Sequence, residues 1–166
     1  VNSIPVNEDF PNTLKSKEIA EHIVINKSKP FRNIVKDNQI IITADTLVWF
    51  QEKCWGKPKD KIEAKNMLKI FAGQNHQVIT SVGFLTSSSF EILTESTTVK
   101  YKDLTEKEIN YYVDTVNPID KAGSYGIQDW IGMIGVEVIN GSYTSVLGLP
   151  VPQVTNKILK IINENL

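Results

Sequence analysis

Two β-rich stretches joined by four small polar residues constrain the fold of this chain more than any other feature. Residues 77–85 and 90–101 are rich in valine, isoleucine, threonine and aromatic residues, and Thr86-Ser87-Ser88-Ser89 joins them. Two such stretches with a short polar turn between them predict a β-hairpin. The protein must therefore contain a sheet in which one connection is a hairpin.

Helical patterns alternate with further strand patterns along the rest of the chain. The predicted helices and strands rest on apolar periodicity, capping residues and proline stops. The helices cover residues 13–29, 61–71 behind Asp60, a segment behind the capping box Thr105–Glu108, and 152–162; the strands cover 39–43 and 132–139. Because hairpin and crossover connections are both needed, the predicted class is α/β, with a mixed twisted sheet flanked by helices.

Size, charge and cysteine content exclude several classes of protein. A chain of 166 residues suits one domain, or two lobes that share a core. A formal net charge of -1 argues against a general nucleic-acid binder, although it leaves room for a local cationic pocket. The single cysteine, Cys54, fits a reducing compartment, and no apolar run or leader indicates a membrane segment. We therefore expect a cytoplasmic protein with no nucleic-acid partner and no membrane association.

Asp45 is the first candidate for chemistry, because it follows the apolar residues 39–43 directly. Such a run is typical of a strand buried on both faces, and open α/β sheets form their ligand crevice at strand ends. A carboxylate there can act as a general base or bind a metal. The alternative is a turn or cap residue, which is the commoner role of aspartate after a strand.

Two further segments combine glycine with charged or polar residues. In Gly56-Lys57-Pro58 the lysine could be aimed at a phosphate, although a solvated lysine in a tight turn is the more common arrangement. The spacing of a Walker loop is absent. Residues 120–128 hold an aromatic ring and an amide between glycines, which suits recognition of a planar ring or, equally, a structural loop.

These segments belong to a set that occurs in one order along nearly the whole chain. The set comprises Glu8, Lys27, Ala44-Asp45-Thr46, Gly56-Lys57-Pro58, residues 120–128, and Gly141-Ser142-Tyr143 with Gly148-Leu149-Pro150. Together they resemble the Maf family of nucleotide pyrophosphatases. The resemblance implies a single Maf-like domain over residues 1–166, with two lobes around a central cleft and pairing as a homodimer. The implied reaction cleaves a nucleoside triphosphate to the monophosphate and pyrophosphate.

The resemblance also implies roles for individual residues. Asp45 resembles the catalytic base, and Lys27 and Lys57 resemble the lysines that face phosphate. Glu8 resembles a second acidic residue that, with Asp45, binds a divalent metal cation, Mg²⁺ or Mn²⁺. These roles fit the physics, since a triphosphate carries about four negative charges that a site must neutralise before a nucleophile approaches.

Thr46 and Gln128 resemble the positions that shape substrate preference. The Asp45-Thr46 pair resembles the subgroup that acts on dTTP and UTP, so a pyrimidine triphosphate is the expected substrate. Two alternatives remain at this point. One is a catalytically weak nucleotide-binding regulatory module, and the other is a purine-preferring pyrophosphatase of the inosine-triphosphate type.

The start of the chain departs from the family pattern. Maf proteins open with a strand and a Ser-x-Ser-Pro-Arg-Arg motif whose arginines grip phosphate, whereas this sequence opens at Val1-Asn2-Ser3. Arg32, the only arginine, cannot replace that pair. We expect that the natural chain carries the motif ahead of Val1, because a missing central strand would expose a sheet edge. The alternative is a protein that has lost part of its site.

Overall fold

A computed structural model describes residue 4 and residues 6–164, and its centre is a sheet of five strands. The strands are β1 (Ile41–Phe50), β2 (Lys53–Trp55), β3 (Asn75–Leu85), β4 (Phe90–Tyr101) and β5 (Val136–Asn140). Their order across the sheet is β2-β1-β3-β4-β5, and every pairing among them is antiparallel.

In the described residues six α-helices flank this sheet, and short 3₁₀ turns cover Lys29–Phe31 and Ala122–Ser124. The helices are α1 (Lys17–Ser28), α2 (Lys61–Phe71), α3 (Glu106–Val116), α4 (Trp130–Gly135), α5 (Tyr143–Val146) and α6 (Val151–Glu164). Within the part of the chain that is described, no helix combines the length and apolar character that crossing a bilayer requires. The predicted α/β class, with a sheet flanked by helices, is confirmed.

The predicted hairpin is confirmed as β3 and β4, which pair from Asn75 opposite Lys100 to Leu85 opposite Phe90. Its turn is held by Thr86, whose Oγ1 accepts hydrogen bonds from the backbone N–H groups of Ser88 and Ser89. Because β3 lies third in a sheet with helices on both faces, nearly all of its residues are buried. The first strand of the hairpin therefore lies in the interior of the molecule, while β4 is mostly half-buried.

Alternation along the strands divides the core between the two faces of the sheet. On one face, Leu47 and Ile79 pack against Ile19 and Ile23 of α1. The other face is covered in two places. Near one end, Val48 and Val78 pack with α2 and α3, where residues such as Phe71 are fully buried and truncation to alanine costs about 3–5 kcal/mol.

Farther along the same face, α6 covers β3. Val82 and Phe84 pack there with Val154 and Ile161. The middle of β1 lies between these two covered regions, and the candidate site described below opens beside it.

β1 differs from the predicted strand over residues 39–43. It continues to Phe50, so Asp45 lies in the middle of the strand, opposite Ser81 of β3, and the prediction that Asp45 follows the strand end was wrong. The extension has a local cause, because the β-prone residues after Asp45 pair with residues 77–80 of β3. Burial on both faces was also wrong, since Ile42 is 40% exposed.

The predicted strand over residues 132–139 is wrong in its first half, where α4 forms instead. Gly132 explains the difference, because a Cβ there would lie 2.4 Å from the carbonyl oxygen of Ile127. The glycine lets the helix approach the preceding loop closely, a contact that no local propensity reveals. The parallel pairing expected of a mixed sheet is likewise not found among the described strands, which are all antiparallel.

The helix starts behave as their capping residues predict. Asp60 accepts a hydrogen bond from the backbone N–H of Glu63 at 2.8 Å, and Thr105 and Glu108 form the predicted capping box. Ile62 in the first turn of α2 was expected to face inward but is 73% exposed. Caps therefore predicted where α2 and α3 begin, whereas α1, which has no side-chain cap, begins at Lys17 and not at residue 13 as predicted. One inward-facing residue was also assigned wrongly.

Candidate active site

A pocket of about 620 Å³ opens beside β1, within the range typical of small-molecule sites. Its lining includes all the residues singled out as site candidates: Glu8, Lys27, Asp45, Thr46, Lys57 and Gln128. Among the described residues, β2 pairs only with Val48, Trp49 and Phe50 of β1, so this edge of β1 has no strand beside residues 41–47. The pocket therefore forms where the edge strand is open and where several loops converge.

An ion cluster occupies the floor of the pocket. The Nζ of Lys27, in the last turn of α1, donates to Asp45 Oδ1 at 2.8 Å and to the carbonyl oxygen of Ala44 at 3.2 Å. It also lies 2.9 Å from Glu8 Oε1. An ammonium group has three protons, so these three acceptors use all of its donors. Lys27 thus joins two carboxylates that lie 37 positions apart in the chain.

The environment shifts the pKa values of this cluster in different directions. The side chain of Asp45 is only 12% exposed, and burial raises its pKa although Lys27 and Lys57 oppose the rise. The pKa of the more exposed Glu8 is lowered, chiefly by its hydrogen bond with Lys27. Burial lowers the pKa of Lys27, but its bonds to both carboxylates outweigh this and raise it overall. Lys27 is therefore charged at neutral pH and favours the carboxylate form of Asp45.

Lys57 differs from Lys27 in its surroundings. It is exposed on the loop after β2 and lines the same pocket, yet no described carboxylate lies within ion-pair distance of it. The carbonyl oxygen of the preceding Gly56 accepts a hydrogen bond from the N–H of Gly123 at 3.0 Å, which joins this loop to residues 120–128. Lys57 is therefore a cation held at the pocket with its donors available to an anion.

Thr46 and Gln128 lie on different walls of the pocket. Thr46 is half-buried in β1, and its Oγ1 lies 2.9 Å from Thr80 Oγ1 of β3. Gln128 is exposed at the end of the loop formed by residues 120–128. Within the described part of the chain its amide has no hydrogen-bond partner, which leaves both its donor and its acceptor for a ligand.

The aromatic ring of the 120–128 loop, Tyr125, serves the core more than the pocket. Its ring is buried against Tyr101, and its hydroxyl lies 2.7 Å from Nε2 of the buried His76. Of the two roles that the sequence left open for this loop, the buried ring favours the structural one, although Tyr125 also lines the pocket. The loop is anchored through Tyr125, and this anchor positions Gln128 three residues later.

Sequence reasoning missed several residues that line the pocket. Cys54 lies there with a thiol whose pKa burial raises to about 11, with Asp45 adding to the effect. Leu147 also contributes, beside Gly148 of the motif Gly148-Leu149-Pro150 that helped to carry the family resemblance. The turn that holds them follows α5, at whose start the hydroxyl of Ser142 accepts from the N–H of Ser145. Nothing in the order of residues indicated that this turn reaches β1.

Glu8 and Asp45 are the residues suited to holding a divalent cation, because they hold the same ammonium group. Within the described residues 4 and 6–164, no group of three or more His, Cys, Asp or Glu residues is arranged as a metal site. Two carboxylates match the way Mg²⁺ is bound, with one or two carboxylates and the remaining ligands from water and phosphate. The donor set therefore fits a cation that arrives with a phosphorylated ligand.

Fold and pocket together define an α/β protein with a nucleotide-sized cleft that combines carboxylates, lysines and open polar groups. Comparison with known sequences gives the family. Residues 1–161 match the family model described as Maf-like protein, and the chain belongs to the Maf family.

Three curated relatives illustrate the similarity, and each is named dTTP/UTP pyrophosphatase. The protein of Christiangramia forsetii is 47% identical over 96% of this chain and 81% of the relative. That of Flavobacterium psychrophilum is 46% identical over 90% of this chain and 76% of the relative. That of Phocaeicola vulgatus is 42% identical over 97% of this chain and 84% of the relative. The predicted membership of the Maf family is confirmed.

Proposed function

We propose that this member of the Maf family hydrolyses dTTP and UTP to the nucleoside monophosphate and pyrophosphate. The names of its relatives support the reaction and the substrates. One structural observation carries the proposal for this chain. A shielded carboxylate, Asp45, lies in the same pocket as Lys57, a lysine with no described ion-pair partner, and as the open amide of Gln128.

Each residue has a part in the proposed reaction. Asp45 accepts the proton of the water that attacks the triphosphate, and burial makes it a stronger base than an exposed aspartate. Lys27 keeps Asp45 ionised and oriented through the 2.8 Å hydrogen bond. Lys57 binds the phosphate chain, whose charge must be neutralised before a nucleophile can approach.

A divalent cation, Mg²⁺ or Mn²⁺, is part of the proposal, with Glu8 and Asp45 as its protein ligands. When bound, such a cation neutralises charge on the phosphates. Thr46 and Gln128 are proposed to contact the pyrimidine ring. A uracil-type ring offers two carbonyl acceptors around an N–H donor, and a glutamine amide can match part of that pattern.

Three further aspects of the proposal concern location and assembly. We propose a cytoplasmic protein, in keeping with its single cysteine, that binds no nucleic acid. A homodimer is also proposed. The exposed Tyr111–Trp130 ring pair, with exposed Met133 nearby on α4, offers an apolar surface of the kind that subunits bury.

A catalytically weak nucleotide-binding module is the second candidate. One observation favours it, because all three donors of Lys27 are engaged within the protein and cannot contact phosphate without releasing a carboxylate or the Ala44 carbonyl. Turnover separates the two candidates, since both predict nucleotide binding and only the first predicts pyrophosphate release.

The test is a pyrophosphate-release assay on the full-length protein with dTTP, UTP, CTP, GTP and ATP, in Mg²⁺ and in Mn²⁺. We expect turnover to be fastest with dTTP and UTP. Gln128→Ala should reduce the preference over purines by about ten- to a hundredfold, because a paired contact is lost. Binding without turnover would favour the regulatory module, and preference for purines would contradict the proposed substrates.

A further inference from the structure

Thr80 lies at the centre of the sheet and contacts the pocket only through another residue. Its side chain is fully buried on β3, directly opposite Thr46 of β1 in the antiparallel register. Its Oγ1 donates a hydrogen bond to the carbonyl oxygen of Ser145 at 2.7 Å and lies 2.9 Å from Thr46 Oγ1. The same carbonyl accepts from the N–H of Gly148 at 2.9 Å. One buried hydroxyl therefore links β1 to the turn at the far wall of the pocket.

The direction of the hydrogen bond between the two threonines follows from proton counting. A hydroxyl group has one proton to donate and two lone pairs that accept. The carbonyl oxygen of Ser145 can only accept, so it takes the proton of Thr80. Thr46 must then donate its own proton to Thr80. The hydroxyl of Thr46 has no proton left for a ligand and offers lone pairs alone.

Nothing among the described side chains blocks these lone pairs on the side of Gly148. Thr46 and Gly148 both line the pocket, and a Cβ built on Gly148 would lie 3.7 Å from Thr46 Oγ1. Gly148 has φ +110°, a conformation that favours glycine, so this position stays without a side chain. A ligand in the pocket can therefore reach an oxygen that only accepts.

We propose that Thr80 is a positioning residue that makes Thr46 an obligate hydrogen-bond acceptor, so that the pocket selects a ring with an N–H at that point. Uracil and thymine carry such a donor at N3, whereas cytosine carries a lone pair there. Two lone pairs facing each other form no hydrogen bond and leave both groups unpaired. The inference rests on the proposed function and extends it to a residue that touches no substrate.

The experiment compares Thr80→Val with Thr80→Ser in the full-length protein. Valine has the shape of threonine without the hydroxyl, so it frees the Thr46 proton to turn toward a ligand. We expect the ratio of kcat/KM for UTP over CTP to fall about tenfold or more in Thr80→Val and to stay near wild type in Thr80→Ser. In a Thr46→Val background, Thr80→Val should have no further effect on the ratio.

Thr97 provides a matched control. It is also a fully buried strand threonine, and its hydroxyl bonds the backbone of Ser142 at the start of the same α5 turn, without contact to Thr46. Thr97→Val should lower stability and leave the UTP-to-CTP ratio unchanged. If Thr80→Val lowers both substrates equally, as a purely structural role would, the proposal is overturned.

Two measurements keep this inference separable from the proposed hydrolysis. Binding of α,β-methylene UTP and CTP, measured by calorimetry, reports the same ratio even if the protein releases no pyrophosphate. Equal binding of the two by the wild type would overturn the role of Thr46 as acceptor.

If Thr80→Val does not fold, 3-methyl-UTP tests the wild type, because the methyl group removes the N3 donor. We expect it to bind at least tenfold more weakly than UTP, and equal binding would overturn the proposal.

Discussion

Replacing Asp45 by asparagine tests the centre of the proposed mechanism. Asparagine has the size of aspartate and keeps an oxygen for the Nζ of Lys27, which also retains its contact with Glu8. The amide cannot accept a proton from water. Because general-base catalysis contributes about 10²–10⁴-fold, we expect kcat to fall by at least ~10²-fold.

The same substitution should not lower stability, and the reason lies in the pKa of Asp45. Burial raises that pKa above its usual 3.8 despite the two lysines, so the folded protein holds the ionised carboxylate at a net cost in free energy. A carboxyl group with a raised pKa favours the folded state below pH ~3.8 and loses this contribution as pH rises through the folded pKa. At neutral pH the neutral asparagine removes this cost, but it also takes a carboxylate from the half-buried Lys27, whose pKa is raised in part by Asp45. Because these two effects oppose each other, the unfolding temperature should stay near that of the wild type.

The assay pairs pyrophosphate release from UTP with thermal unfolding at neutral pH. Asp114→Asn is the matched control, because Asp114 is an ion-paired acid, 3.1 Å from Lys65, outside the pocket lining. It should leave kcat unchanged. Near-normal turnover by Asp45→Asn, or a loss of activity explained by unfolding, would refute the reasoning.

Three more predictions concern titratable groups. Lys57→Ala should weaken the binding of UTP by about 1.5–3 kcal/mol and hardly affect the binding of uridine, which has no phosphates. Calorimetry measures both affinities, and Lys59→Ala, at an exposed neighbouring lysine, is the control. Equal losses of affinity for both ligands would argue for a structural role of Lys57. Lys27→Ala removes a cation that lowers the pKa of Asp45, so the acid limb of the kcat–pH profile should move to higher pH. An acid limb that stays at the wild-type pH would contradict the effect of Lys27 on Asp45. Burial lowers the pKa of His76 to about 4, so protons bind the unfolded chain preferentially and stability should fall by about 2 kcal/mol from pH 7 to pH 5. Urea unfolding of His76→Gln should lose most of this dependence, and an unchanged slope would contradict it.

The sequence by itself determined the elements that depend on near neighbours. The caps at Asp60 and Thr105 act over three residues, and the turn after β3 closes through Thr86 over the same distance. Such interactions depend only on short stretches of sequence, which is why the starts of α2 and α3 and the hairpin were predictable. The order of the motifs also predicted the family, because the order of residues along the chain can be read without knowing the fold.

Only the tertiary structure decided how the site residues meet. Lys27 reaches Glu8 and Asp45 because α1 packs on β1, and this packing separates it from Lys57, which the sequence treated alike. Asp45 lies within its strand because β3 supplies partners for the residues that follow it. The acceptor character of Thr46 depends on Thr80 and on a carbonyl 65 residues further along. Burial, pairing and proton direction arise from contacts between distant segments, so they exist only once the chain has folded.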